Sequence, residues 1–251
     1  RTNSTEVLEI PTRVPRAQVP SRFPAPNRPS LWWGNEHLWA NPPYNPADPH
    51  NPMLDSKGRV WMTSKIRRNA DPSWCNDPWN KFAAWFPLRN SGRQASFYDP
   101  KTRQFVLIDT CYATHHLQFD NDPNETVYFN ELSGPIVGWI DSKVYDQTKD
   151  EQKAVGWCGQ VVDTNGDGKI TAPPWNQITG RGDSLLYAED TTGGSGIGGR
   201  AAGGASGAGG GPDPKLDTLV SYSLYGVVPS PGDDSVWGVT ERYPGHLVGV
   251  D

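Results

Sequence analysis

A strand-turn-strand pattern that occurs three times limits what this chain can fold into. Each copy joins two short apolar segments through a polar turn, and the copies cover residues 50–63, 116–130 and 225–240. The second segment of each copy begins with Val followed by an aromatic residue: Val60-Trp61, Val127-Tyr128 and Val236-Trp237. Short segments of this kind, bounded by turn-forming residues, predict β-hairpins. Repetition of one unit indicates a repeat architecture.

A third segment that ends in Asp follows each hairpin, and a fourth segment follows in two of the units. The third segments cover 95–99, 136–141 and 247–251, and the fourth segments cover 104–108 and 159–163. Four antiparallel strands in chain order are the layout of a propeller blade. We therefore expect an all-β β-propeller with four-stranded antiparallel blades, incomplete in this chain and with long irregular insertions.

The repeat divides the chain into five parts. Residues 1–49 hold a strand of a preceding blade, over 5–11, and a Pro- and Trp-rich cover. Residues 50–113 form a blade with a Trp-rich insertion, and 114–163 form the next blade. Residues 164–218 are an insertion with a calcium-like loop and a Gly-rich tract, and 219–251 start another blade. About two and a half blades are too few to close a propeller, so we expect missing blades or other protein chains to complete it.

Composition excludes several other classes of protein. The 251 residues include 27 Gly and 24 Pro, which interrupt helices and argue against a helical bundle or a coiled coil. Eleven Trp residues argue against a generic disordered chain. The net charge of -5 provides no basic surface for nucleic acid. No apolar run approaches the roughly 20 residues of a membrane span.

The cysteines leave their pairing open. Cys75, Cys111 and Cys158 include no CxxC pair and no CxxCH haem-attachment motif, so a metal cluster or a covalent haem is not expected in this stretch. A disulfide can join Cys75 to Cys111 or Cys111 to Cys158, and either leaves one thiol over. Three unpaired buried thiols are the alternative. The many Trp residues and the Gly- and Asp-rich turns favour an exported protein.

Four segments resemble a known family of propellers. Residues 49–55, 58–64, 98–102 and 114–117 are similar to blades of the virginiamycin B lyase-like group, which is close to the NHL propellers. More narrowly, they resemble the propeller region of large bacterial exported proteins that often carry a carboxypeptidase-regulatory-like domain and a cytochrome c segment. The resemblance covers roughly 1–163 and 219–251 and implies a periplasmic or extracellular location.

Histidines mark the first strand of two predicted blades, and this strand lines the central channel of a propeller. His50 and either His115 or His116 lie there, and Tyr225 or Gly226 takes the corresponding place in the third unit. Imidazoles that face one channel can hold a divalent metal or act as base and acid. Alternatively, they only hydrogen-bond neighbouring strands and cap the channel. The lyase resemblance implies that a channel His shares proton transfers with a carboxylate such as Glu131.

A second candidate site is a loop with the first half of a calcium-binding pattern. Asp163, Asn165 and Asp167 supply side-chain oxygens at alternate positions, a Gly follows, and Lys169 supplies a backbone carbonyl. Pro174 lies where an EF-hand needs a bidentate Glu, which argues against an ordinary EF-hand. We expect a loop-only calcium site, and the alternative is a polar turn without an ion. Three acidic residues are candidates to complete it: Asp183, Glu189 and Asp190.

These observations favour a binding or assembly module of a larger extracytoplasmic protein or complex, because the blades are incomplete and no strong catalytic pattern is visible. A metal-dependent lyase or lactonase acting in the channel is the alternative. A second alternative is a role as accessory to a c-type cytochrome redox partner. The sequence leaves open whether the chain is an enzyme.

Overall fold

A computed structural model of the chain describes residues 4–6, 8–13, 49–65, 72–76, 80–83, 93–131, 135–171, 215–220, 224–240 and 245–251. Within these ranges thirteen strands lie in four antiparallel sheets. The chain is therefore an all-β protein, as predicted. Among the described residues, no helix has the length and apolar character needed to cross a membrane.

Three larger sheets and one two-stranded sheet are each built from strands in chain order. The first sheet contains β1 (His50–Leu54), β2 (Val60–Lys65), β3 (Arg93–Asp99) and β4 (Gln104–Ile108). The second contains β5 (Thr114–Phe119), β6 (Thr126–Glu131), β7 (Ile136–Asp141) and β8 (Val155–Gly159). The small sheet pairs β9 (Val161–Val162) with β10 (Thr218–Leu219). The third larger sheet contains β11 (Leu224–Pro229), β12 (Val236–Thr240) and β13 (Leu247–Val250).

The turn after the first strand of each larger sheet is organised by an aspartate. Asp55 accepts hydrogen bonds from the backbone N–H groups two and four residues later, at 3.0 and 2.8 Å. Asp122 accepts one from the N–H four residues later, at 2.8 Å, and Asp233 accepts one from the N–H two residues later, at 3.2 Å. An Asp side chain that bonds the following backbone favours a tight reversal. The predicted hairpins therefore form in all three units.

The larger sheets stack in one direction. We call the face that carries Trp61, Tyr128 or Trp237 the front face of its sheet, and the opposite face the back face. Trp61 is fully buried, and its ring meets Phe119 of the second sheet edge-on at 5.9 Å. Phe119 is paired across the hairpin with Val127, so it lies on the back face. The front face of the first sheet thus packs on the back face of the second.

The same stacking relates the second sheet to the third. Tyr128 and Val137, from the front face of the second sheet, belong to one apolar cluster with Leu224, Val227 and Val236 of the third. The first strands of successive sheets also contact each other, β1 with β5 and β5 with β11. This repeated arrangement brings the three first strands to one place in the molecule.

Two predicted strands differ from the structure. The fourth strand of the second sheet is β8 and not 159–163. Two short helices, α1 (Ser142–Thr148) and α2 (Glu151–Ala154), follow β7, and the chain re-enters the sheet directly after α2, before the predicted start of the strand. The pairing of β7 with β8 ends at Gly159, and the chain then pairs as β9 with β10. The described residues of 5–11 are in no strand. Instead, Ile10 packs against Met62 on the back face of the first sheet.

A disulfide joins Cys75 to Cys111 and leaves Cys158 as a free cysteine. Both half-cystines are buried in the main core, and Cys75 belongs to the short 3-10 helix Ser73–Asn76. Trp74 of the same insertion packs against that core, whereas Trp79 and Trp85 lie outside the described residues.

Removing this disulfide by replacing Cys75 and Cys111 with Ala is expected to lower the free energy of unfolding by about 2–4 kcal/mol, because the cross-link restricts the unfolded chain. The cysteines are separated by 36 residues. Urea denaturation measures the effect, and Cys158→Ala is the control that leaves the bridge intact. Equal losses in the double variant and the control would show that the bridge contributes nothing beyond side-chain packing.

Candidate functional site

The first strand of each larger sheet contains an irregularity at the same place. The register shifts between His50 and Met53 in β1, between Thr114 and Leu117 in β5, and between Tyr225 and Val228 in β11. A β-bulge bends a strand and re-aims its side chains, and bulges are frequent beside functional sites. The predicted channel histidines lie at two of these shifts.

Three imidazoles meet where β1 and β5 contact each other. The Nε2 atoms of His50 and His116 are 2.9 Å apart, within hydrogen-bond distance. The ring of His50 stacks on that of His115 at a centroid distance of 4.6 Å. One nitrogen from each of the three rings lies within 4.8 Å of the others. Among the residues that the structure describes, this is the one group of three or more His, Cys, Asp or Glu side chains close enough together to hold a metal ion.

The bulge in β5 explains how two consecutive histidines join one group. Successive side chains of a regular strand point to opposite faces of the sheet. The rings of His115 and His116 instead stack at a centroid distance of 4.1 Å. The sequence indicated one of the two as a candidate site residue, and the irregular backbone brings both into the histidine group. Tyr225 of the third sheet packs edge-on against His116, with ring centroids 4.6 Å apart.

Two asparagines fix the backbone that carries the imidazoles. The side chain of Asn51, whose φ is +46°, accepts a hydrogen bond from the N–H of Leu117 at 2.6 Å. Asn130 is buried; its Oδ1 accepts from the N–H of His116 at 2.8 Å, and its Nδ2 donates to the carbonyl of Leu224 at 2.6 Å. These bonds join the first sheet to the second, and the second to the third. The repeat pattern marks neither asparagine as a site residue.

Burial keeps the imidazoles of the second sheet neutral. It lowers the pKa of His115 from 6.5 to about 3, and the nearby charges of His116, His50 and Arg93 act in the same direction. Burial also lowers the pKa of His116, again with contributions from His50 and Arg93. Arg93 is held in place by a hydrogen bond from its Nε to the carbonyl of Thr114 at 3.1 Å. Neutral imidazole is the form that binds metal ions.

Stability is expected to fall as the pH drops below about 6.5, because the unfolded chain then binds a proton at His115 that the folded chain does not bind until about pH 3. The loss of folding free energy that His115 causes is absent above the ordinary pKa of 6.5 and grows as the pH falls toward 3. Asp146, whose pKa is held at about 2 by Arg59 and Lys57 although burial opposes this, contributes stability that is constant above its ordinary pKa of 3.8 and is lost only below that value. Urea denaturation between about pH 7 and pH 4.5 therefore reports the histidines together with Glu151, whose pKa burial raises above its ordinary value of 4.5 and which acts in the opposite direction, so the effect of His115 is read from a variant.

His115→Gln is expected to reduce the slope of stability against pH over that interval. His246→Gln, at a histidine outside the group, is the control for the loss of one imidazole from the chain. Equal slopes in wild type and His115→Gln would contradict the assignment of a buried, neutral imidazole.

Glu131 is not a member of the histidine group. It lies at the end of β6, and its carboxylate accepts a hydrogen bond from the N–H of Ala113 at 3.5 Å. It is also close enough to Tyr112 to raise the pKa of that phenol, behind the larger effect of burial. The side chain is therefore directed toward the core, and its role in proton transfer stays a prediction from the family resemblance.

The calcium-like loop, residues 163–171, is an exposed turn in which aspartate side chains accept hydrogen bonds from the N–H groups of the loop itself. Asp163 accepts hydrogen bonds from the N–H groups of Gly166, Asp167 and Gly168, at 2.7, 3.2 and 2.8 Å. Asp167 accepts from the N–H of Lys169 at 2.8 Å, which lowers the pKa of its carboxyl group. The two glycines have positive φ values of 75° and 70°, which glycine adopts readily.

A residue that the sequence analysis missed closes this loop. Asp217, which is buried, accepts hydrogen bonds from the N–H groups of Thr164 at 3.1 Å and Thr171 at 2.7 Å. Asn165 accepts one from the N–H of Asp167 at 3.0 Å. The predicted completing ligands, Asp183, Glu189 and Asp190, lie outside the described residues, as do Pro174 and the Gly-rich tract. Calcium binding by the loop stays a prediction.

Comparison of the chain with protein-family models, with curated proteins and with solved structures found no match.

Proposed function

We propose that this chain is part of an extracytoplasmic β-propeller-type module that binds one divalent transition metal ion through His50, His115 and His116. The observation that carries the proposal is the convergence of three imidazole nitrogens within 4.8 Å, from the first strands of two sheets. Two nitrogens at about 2.0–2.1 Å from one ion lie within roughly 4.2 Å of each other. The His50–His116 pair, at 2.9 Å, already lies within this limit, and side-chain rotations that shorten the longer separations would bring all three nitrogens onto a common ion.

The donor set indicates which ions are favoured. Imidazole nitrogen suits zinc, copper, nickel and iron, whereas calcium and magnesium prefer oxygen ligands. Asn130 and Asn51 fix the strands behind the rings, and fixed ligand orientation strengthens metal binding. The two asparagines hold the bulged backbone of β5, which brings the rings of His115 and His116 to the same side.

The same geometry favours one catalytic candidate, a metal-dependent lyase or lactonase. Three protein ligands leave a coordination position for water or substrate, and a bound ion there supplies Lewis-acid polarisation of an ester carbonyl. His50 is exposed and gives the group access from solvent. The enzyme class remains a proposal that depends on metal binding.

The propeller part of the proposal is supported by the direction in which the sheets stack. The front face of one sheet packs on the back face of the next in both interfaces, and the first strands contact each other. Blades around a central channel have this arrangement, with the first strand of each blade innermost. The Cys75–Cys111 disulfide supports a periplasmic or extracellular location, because disulfides persist in oxidising compartments.

Metal binding by the purified chain tests the proposed function. The chain is first treated with a chelator and then titrated with Zn²⁺, Ni²⁺, Cu²⁺ or Ca²⁺ by calorimetry. We expect one equivalent of a transition ion to bind and to raise the melting temperature, because the ion binds the folded state preferentially. No binding of any transition ion would overturn the proposal. Calcium bound with the triad intact but no transition ion would assign the cation site to the 163–171 loop instead.

A further inference from the structure

Tyr225 is the contribution of the third sheet to the surroundings of the histidine group. Its ring packs edge-on against that of His116 at a centroid distance of 4.6 Å, and its centroid lies 6.0 Å from that of His115. Aromatic rings favour edge-on contacts at these separations. The ring of His116 also stacks on that of His50, at 4.8 Å. The imidazole of His116 is therefore in contact with one ring from the first sheet and one from the third.

The irregularity in β11 places Tyr225 at the position that histidines occupy in the other two first strands. The register of β11 shifts between Tyr225 and Val228, and a bulge re-aims the side chains beside it. Gly226, the next residue, has a φ of +78°, which glycine adopts readily. A Cβ on Gly226 would meet no atom within 4 Å, so the backbone conformation and not crowding explains the glycine. The bulge thus directs Tyr225 toward β5.

One buried side chain fixes the backbones of both contacting residues. Asn130 accepts a hydrogen bond from the N–H of His116 at 2.8 Å and donates one to the carbonyl of Leu224, the residue before Tyr225, at 2.6 Å. Leu224 is itself buried in an apolar cluster with Val137 of the second sheet. The backbone of Tyr225 is therefore held relative to that of His116, and its ring is able to restrain the imidazole.

We propose that Tyr225 is a positioning residue of the metal site, whose ring holds the imidazole of His116 in the orientation that binds the ion. This inference rests on the proposed function. An imidazole that is free to rotate loses side-chain entropy when it binds an ion. A neighbour that restrains the ring beforehand removes part of that cost, and residues that orient metal ligands strengthen metal binding. The contact is made by the ring of Tyr225, so the phenol hydroxyl is not required.

The metal affinity of Tyr225 variants of the full chain tests the proposal, with Co²⁺ as the probe and a chromophoric chelator as competitor. Tyr225→Ala is expected to weaken binding by about 10-fold or more, the usual effect of losing a residue that supports a metal ligand. Tyr225→Phe keeps the ring and is expected to keep the wild-type affinity. Val228→Ala removes another exposed apolar side chain of β11 and is the matched control, with unchanged affinity.

The visible absorption spectrum of the Co²⁺-loaded chain is the second measurement, because it reports the geometry of the ligands around the ion. It is expected to change in Tyr225→Ala and to stay as in wild type in Tyr225→Phe. A purely structural role would lower the free energy of unfolding of Tyr225→Ala and leave the spectrum of the bound ion unaltered. Should Tyr225→Ala fail to fold, Tyr225→Leu replaces it.

The outcomes separate this inference from the proposed function. A wild-type chain that binds no transition ion overturns both. If wild type binds one equivalent and Tyr225→Ala binds it equally tightly with the same spectrum, only the role of Tyr225 is overturned. Equal losses of affinity in Tyr225→Ala and Tyr225→Phe would also overturn it, because the hydroxyl and not the ring would then be responsible.

Discussion

Replacing His50 with Ala is expected to weaken the binding of a transition metal ion by at least about 100-fold, since loss of even an indirect ligand contact costs 10- to 100-fold. His50 is the contribution of the first sheet to the group, and the other two imidazoles come from consecutive residues of β5. Without His50, two neighbouring rings remain, and an ion bound by them is more exposed to exchange with water. Competition against a chromophoric chelator measures the affinity.

Two further variants serve as a second test of the ligand group and as a control. His116→Ala is expected to weaken binding to a similar extent, because its Nε2 lies 2.9 Å from that of His50. His246→Ala removes a histidine outside the group and is expected to leave the affinity unchanged. If His50→Ala bound the ion as tightly as wild type, the ligands would have to lie elsewhere in the chain. If His246→Ala lost the ion equally, the binding would be nonspecific.

Replacing Asp55 with Ala is expected to destabilise the fold by about 2–4 kcal/mol, because it removes one of the two carboxylates that neutralise buried Arg59 and takes away the acceptor of the buried indole N–H of Trp61. The side chain of Asp55 is fully buried and accepts hydrogen bonds from the Nε of Arg59 and from the indole N–H of Trp61, the latter at 2.9 Å. Although burial alone would raise it, these contacts hold the pKa of Asp55 below its ordinary value. Arg59 in turn reaches Asp146 of α1 at 2.7 Å and so joins the first sheet to the second.

Asp122→Ala is the matched control for this prediction. Asp122 occupies the corresponding turn of the second sheet and accepts hydrogen bonds from the N–H and the hydroxyl of Thr126, both at 2.8 Å, and within the described part of the chain its carboxylate contacts no arginine. Its loss is expected to cost about 1 kcal/mol, the net value of an ordinary hydrogen bond. The free energy of unfolding from urea titration compares the two. Equal losses would show that the buried ion pair contributes no more than the turn does.

Much of the strand arrangement follows from local sequence. The strand Gln104–Ile108 was predicted with the bounds that it has, as was Val236–Thr240, because alternating apolar residues between turn-forming residues define a hairpin strand on their own. The fourth strand of the second sheet was misplaced because two short helices precede it. Asp141, predicted as the end of a strand, is also the N-cap of α1 and accepts from the N–H of Val144. Asp141 therefore both ends β7 and caps α1, and the sequence pattern indicates only the end of the strand.

The candidate site was predictable in part. Its location on the first strands followed from the repeat, which placed His50 and one of the β5 histidines in the channel. The participation of both His115 and His116 depends on a register shift, which arises from pairing between strands and has no local signal. Asn130 acts through contacts to two other strands, and such a role becomes visible only when the sheets are assembled. Asn130 lies beside Glu131 in the sequence, and a carboxylate is the more usual candidate for a site residue than an amide.

Anomalous diffraction from crystals of the metal-loaded chain, recorded at the absorption edge of the bound ion, tests the metal site most directly. We expect one peak at about 2.0–2.2 Å from a ring nitrogen of each of His50, His115 and His116. A peak at the 163–171 loop or at His246, with none between β1 and β5, would contradict the assignment of the metal site.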